Sequence, residues 1–158
     1  MLTDLAARLF EQTFGAANSA DDMRMYLATA FSRSAQVEEL SDPTRVVWIA
    51  EDDDGTPIGY AMVRRGGEGP GVGGARPAEV QRLYTDRAWH GRGVGATLML
   101  ACVDQARAWA SDVIWLAVWE KNQRAIAFYE KTGFKTVGRQ TFVLGRDVQY
   151  DLVMARGL

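Results

Sequence analysis

His90-Gly91-Arg92-Gly93-Val94-Gly95 joins a strand-like segment to a long amphipathic one and is the most informative motif of the chain. Its three glycines stand at alternate positions, so no Cβ atom obstructs backbone N–H groups that turn inward. The helix that follows adds the positive end of its dipole. Together these features predict a site for a phosphate or pyrophosphate. The alternative is a turn that only begins a helix, but each glycine would weaken that helix.

Composition narrows the class of protein. The 158 residues are 47% hydrophobic and 24% charged, with a formal net charge of −2, and we expect a single domain over residues 1–158. Nucleic-acid-binding proteins normally carry a basic excess, so that class is not favoured. The single Cys102 cannot form an internal disulfide, and no apolar run approaches the roughly 20 residues of a membrane span. We therefore expect a soluble cytoplasmic protein without a metal site, since clustered ligands are lacking.

Upstream of the glycine run, helical patterns give way to strand-like ones. The first forty residues show two apolar helical faces, and Ser19 or Asp21 can cap the second helix. Segments 45–51 and 57–64 are β-branched and aromatic, and an Asp-Gly step between them predicts a hairpin. The glycine-rich segment 66–77 predicts a mobile connection rather than a phosphate loop, because it lacks the lysine of that motif.

Downstream, one helix and one buried strand stand out. Apolar side chains of residues 94–109, Cys102 among them, fall on one helical stripe, which predicts a core cysteine rather than a nucleophile. Segment 113–119 (VIWLAVW) is apolar on both faces and predicts a strand covered on both sides. The other predicted elements are a strand over 79–85, a short helix over 122–132 and closing strands over 137–144 and 148–155. The resulting order is ααββ, β, α, β, α, ββ.

The glycine run also fits GxGxxA, the fingerprint of dinucleotide-binding folds, through Gly91, Gly93 and Ala96. That fingerprint normally follows the first strand of a βαβ unit, whereas this run follows a hairpin. An acidic residue normally ends the next strand, but here that strand ends in Trp119 before Glu120. The context therefore disfavours a dinucleotide-binding enzyme.

Two motifs together resemble those of the GNAT superfamily of acetyl-coenzyme A-dependent N-acetyltransferases. Residues 90–95, with the strand QRLYT upstream, are similar to the family signature Q/RxxGxG/A. Residues 122–134 (NQRAIAFYEKTGF) are similar to its NxxAxxFYxxxGF segment. The resemblance implies an α/β GNAT fold, in which a mixed central sheet is splayed at the cofactor-binding strands and flanked by about four helices.

Within that family the chain resembles the PaiA-type polyamine acetyltransferases over nearly its whole length. The similar stretches are EQTFG (11–15), YLATAF (26–31), EVQRLY (79–84), WLAVWEKN (115–122) and DVQYDLVM (147–154). This resemblance implies transfer of the acetyl group of acetyl-CoA to a primary amine, with a polyamine such as spermidine or spermine as the leading acceptor. Other acceptors stay open: a protein N-terminus, a lysine or an aminoglycoside. A non-catalytic acetyl-CoA-binding module is a further alternative. Homodimers are common in the family, but the sequence shows no interface signal.

The resemblance also implies which residues bind the coenzyme. Backbone N–H groups of the glycine run would hold its pyrophosphate, with Arg92 and Thr97 near the phosphates. The strand upstream would pair with the amides of the pantetheine arm and supply an N–H for the oxyanion. The residues implied are Leu83, Tyr84, Thr85, His90, Gly91, Arg92, Gly93, Val94, Gly95, Ala96, Thr97, Asn122 and Tyr129.

Tyr129 and Asn122 each have a functional and a structural interpretation. The family spacing implies that Tyr129 protonates the departing thiolate and that Asn122 hydrogen-bonds the pantetheine arm. In the structural interpretation, Tyr129 is a core aromatic residue and Asn122 is a plain N-cap.

A base is also required, because an alkyl amine has a pKa near 10.4. Deprotonating it at neutral pH spans about three pKa units, roughly 4 to 5 kcal/mol. Glu79, on the strand before the loop, is the candidate, acting directly or through water. Its alternative role is a surface charge at a strand end.

The sequence departs from the family pattern at two positions. His90 stands where the family has Gln or Arg; its side chain can donate to a phosphate oxygen, which would make coenzyme affinity pH-dependent. In the alternative, only the backbone of His90 contributes. The chain also begins directly with the first helix, where the family usually has a short strand, so we expect Met1 to be a late or misassigned start.

Overall fold

Five α-helices and six β-strands make up the computed structural model, which describes residues 2–158. Met1, whose place as the start was considered above, lies outside the described residues. The helices are α1 (Leu2–Phe14), α2 (Ala20–Ala30), α3 (Arg33–Ser41), α4 (Val94–Ala108) and α5 (Gln123–Lys131). The strands are β1 (Arg45–Glu51), β2 (Pro57–Arg65), β3 (Pro77–Thr85), β4 (Val113–Trp119), β5 (Lys135–Leu144) and β6 (Asp147–Gly157).

The strands form one mixed sheet in the order β1-β2-β3-β4-β6-β5. The two hairpins predicted from turn residues, β1–β2 and β5–β6, are both antiparallel pairs. The central pair β3–β4 is parallel, but its register covers only Pro77–Glu79 against Val113–Trp115. Beyond Glu79 and Trp115 the two strands separate, and this gap confirms the expected splay of the sheet.

A β-bulge lies in β3 just past the point of separation. Val80 is the partner of Val63 and Arg82 the partner of Met62, so Gln81 is an extra residue on β3. A bulge bends its strand and increases the local twist. It therefore helps β3 to turn away from β4.

Each face of the sheet carries its own apolar core. Helices α4 and α5 pack on one face, where Cys102, Ile126 and Tyr129 join the buried side chains of β2, β3 and β4. Helices α1 and α2 cover the other face, where Phe10 and Tyr60 belong to the core. We call this second face the α1 face. The predicted core position of Cys102 is confirmed, because the residue is fully buried in this core. Burial raises the pKa of its thiol to about 12.

The amino-terminal region contains three helices where two were predicted. Ser19 caps α2 as expected, its hydroxyl accepting the N–H of Asp22. Ser32 then caps α3 by accepting the N–H of Ala35. No glycine or proline separates α2 from α3, so the sequence reads as one continuous helical stretch.

The glycine-rich segment 66–77 forms no helix or strand before Pro77, as expected of a connection, and it packs on the sheet. The Asp112 carboxylate accepts the N–H groups of Ala75 and Arg76 at 2.9 and 3.0 Å. A Cβ at Gly69 would lie 2.7 Å from the ring of Trp115, so only glycine allows this approach. Within residues 2–158, no helix is long and apolar enough to cross a membrane.

Candidate active site

The glycine run forms an exposed loop that ends in the first turn of α4. Gly91 and Gly93 have φ of 75° and 87°, a region that favours glycine. Thr97 makes the first backbone bond of the helix, its N–H donating to Gly93 O at 3.0 Å. The N–H groups of the turn before it have no intrahelical acceptor, and they form the donor set that an anion requires.

The side chains around this loop leave it open to a ligand. The guanidinium of Arg92 lies over the Trp89 ring, 5.1 Å from its centroid. The Thr97 hydroxyl donates to Gly93 O at 3.2 Å. A Cβ at Gly95 would lie 3.8 Å from Phe128, so this glycine keeps open the space between α4 and α5.

The end of β3 directs backbone groups that lack a strand partner into the gap. Asp86 N–H donates to Ile58 O at 2.7 Å, so the alternation of an antiparallel pair turns the backbone of Tyr84 toward β2. The N–H and C=O groups of Leu83 and Thr85 then face β4. Two of the three predicted strand residues therefore present backbone groups to the gap, whereas the Tyr84 ring packs on the α1 face.

Both ring nitrogens of His90 are engaged within the protein. Nε2 lies 3.1 Å from the Thr85 carbonyl, so Nε2 carries the proton and donates. Nδ1 then accepts from the Arg124 guanidinium on α5. The imidazole thus ties the glycine loop to the end of β3 and to α5, while the backbone N–H of His90 donates to Arg87 O at 3.2 Å.

Asn122 and Tyr129 lie on the α5 side of the gap. Asn122 caps α5, with Oδ1 accepting the N–H of Ala125 at 3.2 Å, which leaves its Nδ2 donor for a ligand. Tyr129 is buried beside Phe134, with ring centroids 5.9 Å apart. Burial raises the pKa of its phenol, with a further contribution from Cys102, so Tyr129 is protonated at neutral pH and can act as a proton donor.

Glu79 is the last residue of β3 that pairs with β4. It lies six residues before Thr85, about 20 Å of extended strand, and therefore at the apex of the gap. Its Oε2 accepts from Arg64 Nη2 at 2.6 Å, and both side chains are on the α1 face. Burial raises the pKa of Glu79, while Arg64 opposes that shift.

Aromatic side chains of the α1 face span the gap. The Phe14 ring lies 6.3 Å from that of Tyr84 on β3 and 5.9 Å from that of Trp119 on β4. Tyr26 on α2 stacks on Phe10 at 4.7 Å. These rings form an apolar wall beside the separated strands.

Asp151 on β6 is a buried carboxylate on the same face that the sequence did not single out. It is the register partner of Trp119, and only 8% of its surface is exposed. The sequence did contain a signal for Asp151, a charged residue two positions before Val153 and therefore on the same inward-facing side of the strand. Among residues 2–158, no group of three or more His, Cys, Asp or Glu side chains could hold a metal ion.

Comparison with known proteins identifies relatives of this chain in sequence and in fold. A model of the acetyltransferase (GNAT) family matches residues 5–134. An uncharacterised N-acetyltransferase of Mycobacterium tuberculosis is 37% identical over 157 residues, which cover 99% of this chain and 96% of that protein. A peptidyl-lysine N-acetyltransferase, YjaB of Salmonella typhimurium, is 30% identical over 77% of this chain and 72% of its own. The crystal structure of the PaiA N-acetyltransferase from Thermoplasma acidophilum in complex with coenzyme A has a TM-score of 0.77 at 20% identity, covering 99% and 91% of the two chains.

Proposed function

The chain belongs to the acetyltransferase (GNAT) family, and from that premise we propose that it transfers the acetyl group of acetyl-CoA to a primary amine. In this proposal residues 1–158 form one domain, and the residues implied by the sequence motifs form its active site. The chemistry is direct attack of the amine nitrogen on the thioester carbonyl.

The splayed pair β3–β4 is the observation that carries the proposal. Backbone groups of Leu83 and Thr85 face the gap without a strand partner, and the first-turn N–H groups of α4 lie at its open end. A ligand with amide groups at one end and a pyrophosphate at the other matches both features. Coenzyme A has this composition, and the PaiA protein of the same fold was crystallised with it.

Each part of the site has a role in acetyl transfer. The Leu83 N–H, which faces the gap, would donate to the carbonyl oxygen as negative charge develops there. Tyr129, kept protonated by burial, would donate to the sulfur as the C–S bond breaks. Nδ2 of Asn122 would bind the pantetheine arm, and Arg92 and Thr97 would lie beside the phosphates.

The acceptor that we favour is a polyamine, because the stretches similar to PaiA-type enzymes extend over nearly the whole chain. The α1 face is suited to binding a cationic amine, because it combines aromatic rings with the carboxylates of Glu79 and Asp151. A peptidyl lysine is the second candidate, since the Salmonella relative carries that name. Both acceptors present the same chemical group, a primary alkylammonium.

Two measurements test the proposal. Calorimetric titration with acetyl-CoA should show binding, and no binding at millimolar coenzyme would refute the coenzyme assignment. A panel of amines, with thiol release as the readout, should then rank spermidine and spermine above lysine peptides and aminoglycosides. If polyamines rank no higher than unrelated amines, the polyamine assignment is wrong while the transferase assignment stands.

A further inference from the structure

Asp151 is a buried carboxylate that no other group of the protein uses. Its side chain makes no hydrogen bond or ion pair with any residue in the range 2–158, although only 8% of the residue is exposed. A buried charge without a partner is costly and is uncommon in proteins. An unpaired carboxylate at an inward-facing strand position points to a ligand.

The position of Asp151 along the sheet places it beside the gap. Trp119, its register partner, lies four residues beyond Trp115, where β4 last pairs with β3. Because Gln81 is an extra residue on β3, the same advance along that strand leads from Glu79 to Tyr84. Asp151 therefore stands at the level of Tyr84, next to the Leu83 backbone, one strand farther across the sheet.

The side chains around Asp151 suit an alkylammonium ion. Trp119 and Phe14 have ring centroids 5.9 Å apart, and Tyr26 and Phe142 have centroids 5.4 Å apart. Aromatic faces attract cations, and a carboxylate among them adds a charge partner. Ala117, the small residue of β4 next on this face, is partly exposed.

The charged groups near Asp151 are two ion pairs and Lys121, whose ammonium lies 5.9 Å from the centroid of the Trp119 ring. Glu120 at the end of β4 binds Arg139 of β5 at 2.8 Å. Arg82 of β3 binds Glu39 of α3 through two contacts of 2.5 and 2.7 Å. Tyr26 of α2 contributes a phenol whose pKa is raised by its own burial. None of the cations among these groups makes an ion pair with Asp151.

We propose, resting on the proposed function, that Asp151 binds the ammonium group of the acceptor and receives the proton that its nitrogen must lose before attack. Glu79, predicted as the base from the sequence, is held by Arg64 and would have to leave that ion pair to accept a proton. Burial and the neighbouring Glu120 raise the pKa of Asp151 to about 6, close to the range in which a general base works best near neutral pH.

The proton transfers balance as follows. The ammonium gives one proton to the Asp151 carboxylate and becomes a neutral amine. The nitrogen then forms a bond to the thioester carbon, the C–S bond breaks, and a second proton of the nitrogen reaches the sulfur by way of Tyr129. The products are the amide and the free thiol, and Asp151 releases its proton to solvent when they leave.

The test compares the pH dependence of the wild type with that of Asp151→Asn, using spermidine and acetyl-CoA. The wild-type kcat/KM should rise through an apparent pKa near 6 and stay level from about pH 7 to pH 9. The variant should lose at least 100-fold at pH 7 and then gain about tenfold per pH unit, because it depends on amine already deprotonated in solution. Asp147→Asn, the same change at an exposed position of β6, should behave as the wild type.

Thermal denaturation and the affinity for acetyl-CoA show whether Asp151→Asn is folded. A folded variant that retains activity within threefold of the wild type at pH 7 overturns the inference. A wild-type profile without the limb near pH 6 overturns it as well, and that measurement needs no variant. A wild type that releases no thiol with any amine would instead overturn the proposed function, and the inference with it.

Discussion

Arg64 on β2 and Glu79 on β3 form an ion pair of 2.6 Å at the apex of the splayed gap. The two residues are register partners on neighbouring antiparallel strands, so the pair crosses the ladder directly. Because both side chains are largely shielded from solvent, neither charge is easily freed.

Glu79→Gln should therefore affect stability more than turnover. Removing one partner leaves Arg64 without its counter-charge, and we expect the free energy of unfolding to fall by about 1 to 2 kcal/mol. The kcat for spermidine should stay within tenfold of the wild type. Urea denaturation of Glu79→Gln, of Arg64→Gln and of the double variant gives the interaction energy between the two side chains. A 100-fold loss of kcat in a folded Glu79→Gln protein would make Glu79 the base.

Tyr129→Phe should lower kcat by about 10- to 100-fold and leave both KM values within threefold, because the phenol acts on the departing sulfur. The loss should shrink with an acetyl thioester whose thiol has a lower pKa, since that thiolate needs less help. Steady-state thiol release measures both effects. Tyr150→Phe, which removes an exposed hydroxyl, is the matched control. Equal losses with the two thioesters would contradict the role of Tyr129.

Gly93→Ala should weaken the binding of acetyl-CoA at least tenfold, because an alanine at φ 87° is strained by about 1 to 2 kcal/mol and would shift the loop. Gly55→Ala, in the β1–β2 turn at φ 77°, carries the same strain far from the gap. Both variants should lose similar stability, but only Gly93→Ala should lose affinity in calorimetry. If both keep wild-type affinity, the glycine loop does not bind the coenzyme.

Gly95→Ala should raise the stability of the protein and lower its affinity for acetyl-CoA. The new Cβ would meet Phe128 at 3.8 Å and Thr85 at 3.9 Å, ordinary contacts, so the free protein accommodates it. Alanine in a helix is favoured over glycine by about 0.8 to 1 kcal/mol, and the variant should unfold at a higher temperature. Affinity for acetyl-CoA should fall several-fold, because the methyl group enters the space between α4 and α5. Unchanged affinity would show that the pantetheine arm runs elsewhere.

Asp151→Asn should stabilise the protein at neutral pH while it removes activity. The raised pKa means that, between about pH 4 and pH 6, the folded state holds a proton that the unfolded chain has lost. The free energy of unfolding therefore falls as pH rises through this window, by about 3 kcal/mol at most. The variant should exceed the wild type in urea denaturation at pH 7.5 and match it near pH 4. A variant less stable at both pH values would contradict this account.

Local signals in the sequence were enough to predict most of the fold. The Asp-Gly turn before Thr56, the uniformly apolar segment 113–119 and the glycine run each specify an element within a few residues. Helix α3 was missed because Ser32 ends one helix and caps the next with no glycine or proline to mark the change. The packing of segment 66–77 was missed because it depends on Trp115, which is distant in sequence.

The candidate site was less accessible from sequence, because its key contacts depend on strand register. The Arg64–Glu79 pair joins residues 15 positions apart, and Asp151 meets Trp119 across 32 positions of chain. A shift of one residue would turn either side chain to the other face of the sheet. His90 likewise shows its structural role only when Thr85 and Arg124 are brought to its two ring nitrogens.

The gap between β3 and β4 has a consequence for the free enzyme. Unpaired strand edges usually occur at the border of a sheet, where they invite other chains to add on, but this one lies in the interior of the sheet. Helices on both faces protect it from other proteins, and an extended ligand bearing amides can still enter along its length. Coenzyme A would then serve as a missing seventh strand, so its cellular concentration would help set how much of the enzyme stays folded.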